Sequence, residues 1–66
     1  MQTPSLAETY NDMAGHFILS GELWEAARLL RLASLHTWTT EGYRMLQKRA
    51  VEVEKEAGLL LSYPRG

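Results

Sequence analysis

The chain is 66 residues long, carries seven basic and eight acidic side chains for a net charge of −1, and has no cysteine. That length holds one domain, and without cysteine neither disulfides nor thiolate metal sites can stabilise it. The balanced charge speaks against a general polyanion binder. No apolar run reaches the length of about 18 residues that a membrane span needs, and the start MQTPSLAETY lacks the basic end and apolar centre of a secretory signal. A cytoplasmic protein is therefore expected. A domain near this size buries only about 60% of the surface its unfolded chain exposes. Association with a partner or a second copy is the remaining route to added stability.

The first helix is expected over about 5–20. Either Thr3 caps it with Pro4 in the first turn, or Ser5 caps it with Glu8 three residues on. Leu6, Tyr10, Met13, Ala14, Phe17 and Ile18 then recur as one apolar stripe. Gly21 can take the left-handed conformation that stops a helix. A second helix is expected over about 22–35, with Glu22 and Glu25 at its positive end. It is apolar on two sides: Leu23, Ala26, Ala27, Leu30 and Ala33 form one stripe, and Leu29, Leu32 and Leu35 another beside it. Leu29, Leu32 and Ala33 are the residues expected to meet the third helix. Thr39 and Thr40 offer caps for that helix, expected over about 41–57 and extending at most to Leu61. Its seam of Tyr43, Leu46, Ala50, Val53, Ala57 and Leu60 has heptad spacing, which serves either packing on the other helices or a dimer. Gly58 is a candidate stop, and residues 58–66 are expected to be a flexible or folded-back tail. Short loops make consecutive helices antiparallel neighbours. The fold expected is all-α, a three-helix bundle.

Tyr10, Met13, Ala14 and Phe17, then Gly21, Glu25, Ala26, Leu30 and Ala33, resemble one tetratricopeptide repeat hairpin. The closing proline of that pattern is missing, and Trp38 stands near its place. The third helix resembles the capping helix that follows such arrays. The resemblance implies a protein-binding hairpin, and a single repeat cannot bury both of its faces alone. Tyr10, Met13, Ala14, Gly21, Trp24, Ala26, Ala27, Leu29, Ala33 and Arg49-Ala50 are also similar to the first half and the following helix of the AraC negative regulator family and the related PerC-like proteins. That likeness implies a small regulator that works by binding other regulators.

No residue pattern points to catalysis. Glu8 and Asp12 lie one helical turn apart, and neither they nor Glu22 has a neighbour that would separate their acidities. His16 and His36 lack the converging ligands a metal needs, so no metal, cofactor or small-molecule substrate is expected. Trp24, Arg28, Arg31 and Leu35 fall on one line of the second helix. They form either an outer face whose arginine stems cover apolar surface or a binding patch, since Trp and Arg are common interface anchors. Trp38 either plugs the end of the core or joins that patch. Arg44, Lys48 and Arg49 are the other basic group, followed at once by Glu52, Glu54 and Glu56. Nucleic-acid binding is thus the weaker alternative, as is an accessory subunit of a larger complex. The expected function is a small protein–protein interaction module, an adaptor or stoichiometric regulator that binds another protein, itself, or both. Its expected contact residues are Trp24, Arg28, Arg31, Leu32, Leu35 and Trp38.

Overall fold

The computed structural model describes residues 5–61 and is all-α, with helices α1 (Leu6–Leu19), α2 (Leu23–Leu35) and α3 (Thr40–Leu61) packed as a three-helix bundle. Ser5 is the first cap: its side-chain oxygen accepts the Glu8 amide N–H at 3.2 Å. The alternative cap, Thr3 with Pro4, lies outside the described residues, as does the expected tail beyond Leu61. α1 closes on Gly21, whose φ of 81° suits a residue without a Cβ. The Gly21 amide donates to the Ile18 carbonyl at 3.0 Å and the Glu22 amide to the Phe17 carbonyl at 2.8 Å. This paired arrangement satisfies carbonyls that the helix end would otherwise leave open, and it turns the chain back.

α2 starts without a side-chain cap. α3 starts on Thr39, whose Oγ1 accepts the Gly42 amide at 2.9 Å. It does not stop at Gly58 but continues to Leu61. A glycine inside a helix costs about 1 kcal/mol, which a helix held along its length can absorb.

α2 is the middle element. α1 packs on one side of it and α3 on the other, while α1 and α3 make no backbone approach to each other. The helices run antiparallel in turn. Tyr10, early in α1, lies with its ring 5.7 Å from that of His36, just past the end of α2. The core is built mainly from alanines: Ala14, Ala26, Ala27, Ala33, Ala50 and Ala57 are buried, with Leu30 and Val53 as the larger members among the described residues. Small side chains let helix axes approach to the near end of the usual 8–10 Å range. Phe17, Ile18, Leu23, Leu29 and Leu46 pack around this centre. The α3 seam therefore contributes Ala50 and Val53 to an intramolecular core, and its Tyr43 stays 44% exposed.

One sequence expectation is corrected here. Leu32 does not bury against α3 but remains 42% exposed. α2 is tied to α3 by polar groups instead. Arg31 donates from Nε and Nη2 to the two Glu54 carboxylate oxygens at 2.8 and 2.6 Å, and from Nη1 to Gln47 Oε1 at 2.8 Å. Gln47 Nε2 donates to Ser34 Oγ at 2.7 Å, and Ser34 Oγ donates to the Arg31 carbonyl at 2.6 Å. Because each group is partnered, the seam costs little for the polar surface it partly buries.

Candidate interaction surface

With α1 and α3 on two sides of α2, the third side is left uncovered among the described residues. Trp24, Arg28, Leu32 and Leu35 recur there at steps of 4, 4 and 3 residues, one stripe along the helix. Trp24 is 48% exposed and Leu35 70%. Arg28, Arg31, Leu32 and Leu35 line a shallow depression on this stripe. Leu35 also borders a second depression at the α2–α3 corner, which Trp38 and Tyr43 share with Thr37. Trp38 is 94% exposed. It stands beside the core and does not plug it. The structure thus brings Arg28, Arg31, Leu32 and Leu35 together and joins Trp38 to them through Leu35. Trp24 lies one turn beyond Arg28 on the same stripe and lines neither depression.

The two arginines differ in their surroundings. Among the described residues Arg28 reaches only Glu25, at 3.8 Å, with both side chains largely in solvent. Such a pair contributes little and yields easily to another carboxylate. Arg31 is gripped by Glu54 and Gln47. The hydrogen bonds that Arg31 donates to Glu54 raise the Arg31 pKa above its ordinary value and lower the pKa of Glu54 below its ordinary 4.5. Arg31 therefore frames the depression from a fixed position, while Arg28 offers a movable cation.

A second concave surface runs between α1 and α3. Asn11, Asp12, Gly15, His16, Leu19 and Arg49 line it, and Arg49 Nη1 spans it to Asn11 Oδ1 at 2.8 Å. Sequence reasoning missed this groove. The signal present was Asn11 and Gly15, a polar and a small residue four apart beside the apolar stripe. The bond also separates the basic group named from sequence, since Arg49 turns toward α1 while Arg44 and Lys48 stand exposed on α3. His16 and His36 are exposed, and among the described residues no three His, Asp or Glu side chains converge as metal ligands would. No described helix is long and apolar enough to cross a membrane.

Comparison with protein-family models, with curated proteins and with solved structures finds no match to this chain.

Proposed function

We propose that this protein is a small cytoplasmic interaction module, an adaptor or stoichiometric regulator that binds another protein through the uncovered side of α2. The observation that carries the reading is the row of exposed apolar side chains on that side, Leu32 and Leu35 joined to Trp38, with Trp24 set apart from them by Arg28. It stays in water although both neighbouring helices are already docked. Contiguous apolar surface rimmed by polar residues is uncommon on monomers and accompanies interaction sites. Trp and Arg anchors are enriched among the residues that dominate binding energy. The small residues Ala14 and Ala26 buried in one cluster, with the left-handed turn at Gly21, support a tetratricopeptide-like reading of the α1–α2 hairpin.

The test uses a double variant, Leu35→Lys with Trp38→Gln. Both side chains are mostly exposed, so the helical circular dichroism spectrum should persist. Specific co-purification of a protein from native extract should disappear. If the same proteins co-purify with the folded variant, the surface is wrongly placed.

A further inference from the structure

We propose that the occupant of the α2 surface is an amphipathic helix of a different protein, with apolar anchors over Leu32 and Leu35 and a carboxylate facing Arg28. This deepens the interaction reading above and rests on it.

The shape of the surface argues for a helix. Trp24, Arg28, Leu32 and Leu35 extend over about three turns of α2, roughly 16 Å at 1.5 Å per residue. Between the two ends of α2 the backbone amides and carbonyls beneath them are engaged in the helix. An extended strand would find no open main-chain edge to pair with there, so only side-chain packing remains. A helix laid along a helix is the arrangement that packing of this kind favours.

Charge argues for acidic anchors. The depression is lined by Arg28, Arg31, Leu32 and Leu35, so its charged lining is cationic. Arg31 is already matched by Glu54, and Arg28 holds Glu25 only at 3.8 Å in solvent. A carboxylate one turn from an apolar anchor on the incoming helix would meet Arg28 while the anchor meets Leu32 or Leu35.

The same arginines disfavour a second copy of this chain. A two-fold contact presents one patch to itself. In an antiparallel pairing centred on the stripe, Trp24 meets Leu35 of the second copy. Arg28 and Arg31 are symmetric about that same centre, so Arg28 then meets Arg31 of the second copy. In a parallel pairing Arg28 meets Arg28. In the parallel case two loosely paired cations face each other, and like charges across an interface suppress the match; in the antiparallel case Arg28 meets an arginine already paired with Glu54 and gains no carboxylate.

The test uses a Trp38→Phe protein, in which Trp24 is the one remaining tryptophan of the two in the sequence. Three synthetic helical peptides share one leucine stripe and carry Glu, Gln or Lys beside it. The Glu peptide should blue-shift Trp24 emission and bind up to about fivefold more tightly than the Gln peptide, the upper limit for one exposed ion pair. The Lys peptide should bind more weakly than either, and Arg28→Gln should erase the Glu–Gln difference. Equal binding by the Glu and Lys peptides would overturn the acidic partner while leaving an apolar dock. No binding by any peptide at about 1 mM would overturn both this inference and the interaction reading. A dimer in sedimentation equilibrium that Leu35→Lys converts to monomer would give the surface to a second copy instead.

Discussion

Leu30 is the largest fully buried side chain described in the molecule, and it belongs to a buried cluster with members from all three helices. Its neighbours in the buried cluster are alanines and Val53, which cannot swing in to fill a void. Leu30→Ala should therefore cost the transfer energy of the lost atoms plus a cavity term. Measured Leu→Ala changes in cores run from about 2 to 5 kcal/mol. α1 and α3 are each held mainly by α2 and can settle partway inward, so about 3 kcal/mol is expected. A chain of 66 residues has a total stability of about 3–10 kcal/mol, so this one change removes a third of it or more. At about 4–8 °C per kcal/mol for a domain of this size, the melting midpoint should fall by roughly 12–24 °C. The assay is thermal and urea unfolding followed by circular dichroism, with Leu35→Ala as the control. Leu35 is 70% exposed, and its truncation should change stability by no more than about 0.5 kcal/mol. Equal losses from the two substitutions would refute the division of α2 into a core side and a free side.

Three further predictions test how the elements are held. Gly21→Ala should lower stability by about 1 kcal/mol because its φ of 81° strains any residue with a Cβ. Gly15→Ala, where an added Cβ meets nothing within 4 Å, should raise it by about 0.5–1 kcal/mol; effects of one sign in unfolding measurements would contradict the assignment. Gly42→Ala should bring no gain in the wild type, because its Cβ would lie 2.9 Å from the capping Thr39 Oγ1, but should stabilise a Thr39→Ala background; identical effects in both backgrounds would remove the cap from the account. The pairing with Arg31 lowers the Glu54 pKa, so the stability it adds is present above the ordinary value of 4.5 and fades as pH falls through the lower folded value. Glu54→Gln should accordingly melt below wild type at neutral pH, with the gap closing in acid. A gap that stays constant down to about pH 3, below the ordinary carboxylate range, would show that the ion pair is not its source.

The helices were legible because periodicity and punctuation agreed. Ser5, Gly21 and Thr39 each act at the boundary where their chemistry places them, and the observed starts and ends of α1 and α2 fall within a residue or so of the expected ones. Gly58 misled because a lone glycine weakens a helix without stopping it. The side of α2 that meets α3 was misread through Leu32. Apolar spacing placed Leu32 in the seam with α3 as well as on the contact face, whereas α3 presents Gln47 and Glu54 to α2, and these are met by the polar Arg31 and Ser34. The same pairing explains why Arg31, grouped from sequence with Arg28, differs from it in the structure. Which cations lie free and which are engaged depends on contacts across 16 and 23 residues of chain, which local spacing does not encode. Arg49 illustrates this again: it follows Lys48 directly, yet consecutive helical residues point in different directions, and it bonds to Asn11 on α1.

The central claim is that the uncovered side of α2 is where another protein sits. The most direct measurement places a photo-crosslinking phenylalanine analogue at position 35 and, in a separate protein, at position 48 on the solvent side of α3. Both are then irradiated in the cells that make the chain. The account predicts a discrete protein adduct from position 35 and none from position 48. Adducts of the same kind from both positions, or from position 48 alone, would contradict it.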